Sequence, residues 1–234
     1  MLARIPLDSP ALVVDAGCGP ANSTTLLRDR WPAADITGID SSPEMVFAAR
    51  RALPGAHFEV ADLLEWIPPE PVDVVFSNAV LQWVEDHQSV LDHLLGWLRP
   101  GGVLAVQMPA NYDKPSHTIM RELAASDRWS AQLRGILRAS PVAAAEEYFR
   151  LLSGSGRSVD VWTTEYLHVL DGESPVVDWV SGTGLRPLTD ALGNDDRAVF
   201  LAEYAAAVDD AYPREPDGTT LFAFQRRFVV VTTP

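Results

Sequence analysis

Short apolar runs that each end on a polar residue recur through the first half of the chain. Ala11–Asp15, Ile36–Asp40, His57–Val60 with Ala61-Asp62 behind it, and Val72–Phe76 followed by Ser77-Asn78 all have this form. They are short, dense in β-branched residues and bounded by turn formers, so they predict strands. A fifth strand, Val103–Met108, follows the turn Arg99-Pro100-Gly101-Gly102. Between the runs the period is helical. Asn22–Trp31 is amphipathic, closed by Pro32 and capped by Asn22 or Ser23; Ser41-Ser42-Pro43-Glu44 reads as the cap and first turn of a helix reaching about Leu53; a third helix spans about His87–Leu98.

Strands alternating with helices at this spacing predict an α/β fold with a parallel, doubly wound sheet. Such sheets bind ligands beyond the carboxyl ends of their strands. Asp15, Asp40, Asp62 and Asn78 all fall at that edge. One acid after a strand is usually a helix cap; a polar residue at four successive strand ends predicts a site.

From about Asn111 the pattern changes. Residues 111–157 read as helical, with a break at Ser140-Pro141; Val159–Leu170 alternates like a strand; 174–212 is mostly helical around Gly182-Thr183-Gly184; Leu221–Thr232 is a final strand. The expected organisation is a core over 1–110, a helical cap insertion over 111–158, and 159–234 completing the sheet around a second cap insertion at about 174–212.

Composition narrows the function classes. A net charge of −14 and a pI near 4.6 repel nucleic acid and anionic membranes, and disfavour anionic substrates unless cations gather locally. No apolar run approaches the roughly 20 residues that span a bilayer, and the N-terminus carries no signal-type segment. The lone Cys18 precludes an internal disulfide and suits a reducing cytoplasm. Its place in a glycine loop invites a nucleophile role, but no nearby histidine supports one, so packing is the expected role.

That loop, Asp15-Ala16-Gly17-Cys18-Gly19-Pro20-Ala21-Asn22, is the most informative stretch. Gly17 and Gly19 allow unusual backbone angles and let a ligand approach bare backbone, and the helix start beyond offers amide donors. A phosphate loop would rarely place an acid at Asp15; a ligand bearing an ammonium group would favour one. The order Asp-x-Gly-x-Gly-x-Ala resembles the first motif of the class I S-adenosylmethionine (SAM)-dependent methyltransferases, with Ala21 where glycine is usual. The resemblance extends over about Leu12–Met108 and implies a Rossmann-like, seven-stranded, mostly parallel sheet with SAM as cofactor. It also implies roles. Asp15, Gly17 and Gly19 would hold the amino-acid end; Asp40 and Ser41 the ribose; Asp62, Leu63 and Met45 the adenine; Asn78 and Ala79 the methionyl end beside the methyl. Helix-core packing is an equal reading of Met45, and a NAD-dependent enzyme is a distant alternative on the glycine loop alone.

Further stretches are similar to a narrower family, the trans-aconitate methyltransferases. They include Trp31-Pro32-Ala33-Ala34, Leu81-Gln82-Trp83, Gly102–Pro109, Asn111, His117 with Met120-Arg121-Glu122, Asp178-Trp179-Val180, Thr183–Pro187 and Phe222-Ala223-Phe224. The family carries an aromatic-bearing lead segment ahead of the part that matches Leu2–Leu7, which puts closure over the cofactor in question for this chain.

The resemblance implies methyl-ester formation on a carboxylate of trans-aconitate or a related di- or tricarboxylate. The chemistry is self-consistent. A carboxylate is already ionised at pH 7, so no catalytic base is required, and the protein contributes proximity and alignment. An acidic protein must gather cations to hold such a substrate, and arginine's planar fork suits carboxylates. Arg186 is the first candidate; Arg226 and His117 follow, with Arg226 and Arg227 on one strand so that only one faces inward. Gln82, Trp83, Tyr112, Tyr148 and Trp179 are expected to line the pocket, although Trp83 and Trp179 read equally well as core. The expected setting is a cytoplasmic monomer acting on a free small molecule, with no metal, nucleic-acid or membrane partner. Other small or carrier-bound carboxylates, and a SAM-binding domain without catalysis, are the competing readings.

Overall fold

The computed structural model describes residues 1–136, 140–154 and 156–234. Its elements run β1 (Leu12–Ala16), α1 (Asn22–Arg30), β2 (Asp35–Asp40), α2 (Pro43–Ala52), β3 (His57–Val60), β4 (Val72–Asn78), α3 (His87–Leu95), β5 (Leu98–Pro109), α4 (Pro115–Ala125), α5 (Ser130–Leu133), α6 (Ala145–Leu152), β6 (Ser158–Leu170), α7 (Pro175–Ser181), α8 (Arg186–Asp190), α9 (Asn194–Ala211) and β7 (Thr220–Thr232). The strands form one seven-stranded sheet in the order β3-β2-β1-β4-β5-β7-β6. From β3 to β5 the neighbours are parallel. Backbone bonds from Gly101 N to Pro234 O and from Ala110 N to Gln225 O make β7 antiparallel to β5.

The central strands are buried along their length, as parallel strands covered on both faces must be. β4 is buried from Val72 to Ser77, and the two polar residues of that stretch, Asp73 and Ser77, are satisfied locally. Asp73 accepts from Ala11 N at 2.7 Å and Leu12 N at 2.9 Å and pairs with Arg99; the Ser77 hydroxyl donates to Ala16 O at 2.8 Å. β5 starts earlier than its apolar run predicts. Leu98 pairs with Val72, and the pairing resumes at Val103 opposite Val74, so residues 99–102 are absorbed as an irregularity around Gly101 at φ +76°.

The chain divides into two units, with boundaries inside β6 and β7. The first holds Met1–Pro109, Val142–Thr163 and Arg227–Pro234; its core includes Ile5, Leu27, Trp31, Ile36, Phe76 and Val230. The second holds Ala110–Pro141 and Thr164–Arg226, with a core around Met120, Trp129, Leu188, Phe200, Tyr204 and Phe222. The segment expected as one cap over 111–158 is thus divided between them. Its helical stretch is also broken into α4, α5 and α6, and residues 137–139 and 155 within it lie outside the described residues.

Candidate active site

In the first unit, β1 runs into a loop whose backbone is left-handed at three alternate positions: Gly17 (φ +80°), Gly19 (φ +52°) and Ala21 (φ +73°). Gly17 N and Cys18 N both donate to Ile39 O, at 2.8 and 2.9 Å, which ties the loop to β2. A Cβ on Gly17 would lie 2.2 Å from Val80 Cγ2, whereas a Cβ on Gly19 would meet nothing within 4 Å. Gly17 is therefore required by packing, and Gly19 leaves bare backbone beside open space. The N-cap of α1 falls on Ala21, not on the expected Asn22 or Ser23, and makes no side-chain bond. Cys18 is buried and unpaired, and burial together with the charges of Asp15 and Asp40 pushes its thiol up to about 12, so it packs and is no nucleophile.

Asp15 is fully buried. Its Oδ2 accepts from Thr24 Oγ1 at 2.7 Å, while Oδ1 has no hydrogen-bond partner among the described residues. Burial pushes its carboxyl up to about 7; the Thr24 bond opposes the rise and the charge of Asp40 adds to it. An orphaned buried carboxylate oxygen costs free energy until a donor or cation meets it.

Asp40, half-buried, braces the loop. Its Oδ2 accepts from Gly19 N and its Oδ1 from Ser42 N, both at 2.9 Å. Each oxygen keeps acceptor capacity for a further donor. Ser41 is exposed beside it; Ser42, its neighbour, caps α2 by accepting from Met45 N at 3.3 Å, and Met45 is exposed. Asp62 is exposed and closes the turn after β3 through a 2.8 Å bond from Leu64 N, with Leu63 half-buried. At the end of β4, Asn78 is half-buried and Ala79 adopts φ +59°, its N donating to Gln107 O at 2.9 Å. Gln82 Nε2 donates to Ala79 O at 2.6 Å, and the buried Oε1 has no hydrogen-bond partner among the described residues. Trp83 is 58 % exposed. The ends of the neighbouring strands β1 and β4 thus each present a buried acceptor in want of a donor.

Tyr148, expected to line the pocket, packs inside the first unit. It is buried, its hydroxyl lies 2.5 Å from His87 Nδ1 and 3.6 Å from the Met108 sulfur, and it accepts from Ala143 N at 3.3 Å. His87 Nε2 lies 2.6 Å from Leu81 O, so the Tyr148–His87 couple buttresses the turn that carries Gln82 and Trp83. Burial pushes the Tyr148 phenol up to about 12. His87 was not singled out from sequence. A histidine in the first turn of a helix carries no signal of its buried partner.

In the second unit, Arg186 is 73 % exposed on the short α8 and pairs with Asp190 at 3.4 Å. The expected carboxylate clamp therefore stands in solvent on a surface ion pair. Trp179 packs on His168 (ring centroids 4.5 Å apart), Phe222 and Phe224. The Arg226 guanidinium lies over the rings of Phe224 (5.0 Å) and Tyr166 (5.9 Å). The adjacent Arg227, in the first unit, donates to Ala143 O and Thr163 Oγ1. Tyr112 meets His117 edge to face at 5.1 Å. Burial and the charge of Arg121 hold His117 down near 4, with Asp113 opposing, so the ring is neutral at pH 7. No cluster of potential metal ligands occurs among the described residues, and no described helix is long and apolar enough to cross a membrane.

A sheet of this strand order with an antiparallel β7, and with polar residues at the ends of β1, β2 and β4, defines a class I methyltransferase. A methyltransferase-domain family model matches residues 13–102. The YcgJ protein of Bacillus subtilis shares the fold with a TM-score of 0.65 at 11% identity, over all of this chain and 96% of that one. The plantazolicin methyltransferase BpumL, solved with S-adenosylhomocysteine, matches with a TM-score of 0.55 at 17% identity, over 96% and 77%. The trans-aconitate 2-methyltransferase of Azoarcus sp. strain BH72 is 51% identical over 98% of this chain and 90% of its own length, and that of Methylobacterium nodulans 48% over the same shares. The chain belongs to the trans-aconitate 2-methyltransferase family.

Proposed function

We propose that this protein transfers a methyl group from SAM to one carboxylate of trans-aconitate, forming the monomethyl ester. The carrying observation is the identity of 44–51% to trans-aconitate 2-methyltransferases along nearly the whole chain. The glycine loop supports the cofactor assignment independently. Bare backbone at Gly19 and the unpartnered Oδ1 of Asp15 suit a ligand that brings an ammonium group to the end of β1. When bound, SAM supplies a methyl activated by a sulfonium centre. Asp15 accepts the ammonium group and is held ionised by it; Asp40 uses its spare acceptor capacity on the ribose hydroxyls. Asp62, Leu63 and Met45 receive the adenine, and Asn78, Ala79 and Gln82 border the methionyl end. The chain need not move a proton in the transfer, because the nucleophile is a carboxylate already ionised at pH 7. Its work is alignment and exclusion of water. The protein acts as a cytoplasmic monomer on a free small acid.

Mass spectrometry of the protein with SAM and trans-aconitate, beside citrate, cis-aconitate and isocitrate, tests the reading. One methyl gained by trans-aconitate is the expected result. SAM bound without methylation of any acid would leave the fold and overturn the function.

A further inference from the structure

Resting on the cofactor part of that reading, we infer that the Gln82 carboxamide oxygen is a second acceptor for the ammonium group of SAM, beside Asp15. All the residues involved belong to the first unit. Asp15 on β1 is in register with Phe76 on β4. Beyond these residues the two strands run into loops that touch, because a Cβ on Gly17 would lie 2.2 Å from Val80 Cγ2. Asp15 stands two residues before that contact and Gln82 two residues after it. Asp15 is fully buried and Gln82 only 8 % exposed, and each keeps one oxygen without a hydrogen-bond partner among the described residues.

The orientation of the Gln82 amide is fixed by its neighbour. An oxygen placed 2.6 Å from Ala79 O would be repelled, so the NH2 group faces that carbonyl and Oε1 is left over. Ala79 is itself pinned: its backbone is left-handed at φ +59°, and its N donates to Gln107 O at 2.9 Å. The turn that follows is tied to His87 through Leu81 O at 2.6 Å. Oε1 is therefore a buried acceptor that cannot turn into a donor.

That polarity decides the ligand. An ionised carboxylate offers acceptors only, so the acid gives Oε1 nothing to accept. SAM offers donors at the adenine, the ribose and the ammonium group. Asp62 and Asp40 serve the first two from the β3 and β2 ends, whereas β4 lies next to β1, where Asp15 meets the ammonium group. An ammonium group has N–H donors to spare after Asp15 Oδ1 takes one. A neutral carboxamide suits this second place, because another carboxylate would add like-charge repulsion to a buried acid. Gln82, expected from sequence at the substrate, becomes a cofactor-binding residue.

The test compares two ligands on the full-length protein. One is S-adenosylhomocysteine; the other is its deaminated analogue, in which hydrogen replaces the ammonium group. Calorimetry, with competition for the weaker ligand, gives the ratio of their affinities. Gln82→Met should lower the preference for S-adenosylhomocysteine on the order of tenfold, as loss of one hydrogen bond to a charged group implies, and leave the analogue's affinity within about twofold. Gln82→Glu, which keeps an acceptor oxygen, should hold the ratio at or above the wild-type value. A wild-type ratio in Gln82→Met, an equal loss for both ligands, or a ratio that falls in Gln82→Glu would overturn the assignment and leave the parent reading intact. A wild type that binds neither ligand would overturn both. A wild type that shows the shift in ratio but methylates no acid would support this assignment and overturn only the substrate reading.

Discussion

The cofactor loop and the cations of the helical unit solve opposite problems. In the loop, polar groups are fixed by the fold: Asp40 takes one backbone N–H on each oxygen, and Asp15 is held by Thr24. Among the described residues, the Asp15 Oδ1 acceptor at the end of β1 and the Gln82 Oε1 acceptor in the turn after β4 are buried without a hydrogen-bond partner. In the helical unit, most arginines are spent on surface pairs, aromatic rings or carbonyls, and Arg121 is the half-buried one without such a use. Among the described residues, the loops after β1 and β4 keep two buried acceptors without a donor, and Arg121 on α4 is a half-buried guanidinium without an ion pair.

The largest effect that would break this contrast is at Gly17. Gly17→Ala forces a Cβ into Val80 at a left-handed backbone position, so SAM binding should fall by on the order of 100-fold or more in calorimetry. Asp15→Asn comes next. Losing the charge that meets the ammonium group should weaken SAM by about 2 kcal/mol or more. The same change should raise Tm above pH 7. The sign follows from linkage: the Asp15 pKa is raised from 3.8 to about 7 in the folded protein, so ionising it in place costs stability progressively between those values and fully above them. SAM affinity of the wild type should for the same reason strengthen as pH rises through about 7.

Asp40→Ala should weaken SAM by about 1–3 kcal/mol, through the ribose contact and the loosened Gly19 and Ser42 amides. An unchanged dissociation constant would remove the ribose assignment. Tyr148→Phe is smaller and of a different kind. It should lower stability by about 1–3 kcal/mol, since the hydroxyl's bonds to His87 and Ala143 are lost together, and leave KM for the acid unchanged; a raised KM would place Tyr148 at the substrate. Arg186→Ala should leave KM within about twofold, since its exposed pair with Asp190 is worth little.

The cofactor half was legible in the sequence because parallel strands leave long marks. Continuous apolar runs ended at Asp15, Asp40 and Asn78, and glycines stood where left-handed backbone was needed. What stayed hidden there depended on partners distant in sequence. Tyr148 reads as a pocket aromatic until His87 is found against it, sixty-one positions away. Thr24, which donates a hydrogen bond to the buried Asp15, looks like any residue of an amphipathic helix. In the helical unit the motif around Arg186 suggested a clamp, but the short α8 presents that side chain to water. Arg121 lay inside a family-like stretch and carried no signal of its own. Its distinction is that it has no hydrogen bond or ion pair among the described residues, which periodicity cannot reveal.

The central claim is carboxyl methylation, and its most direct measurement is a time course of trans-aconitate with methyl-labelled SAM, read by mass spectrometry. The account predicts one labelled methyl per acid, removable by mild alkaline hydrolysis as an ester must be. Label transferred to no acid, or to a position that survives hydrolysis, would contradict it.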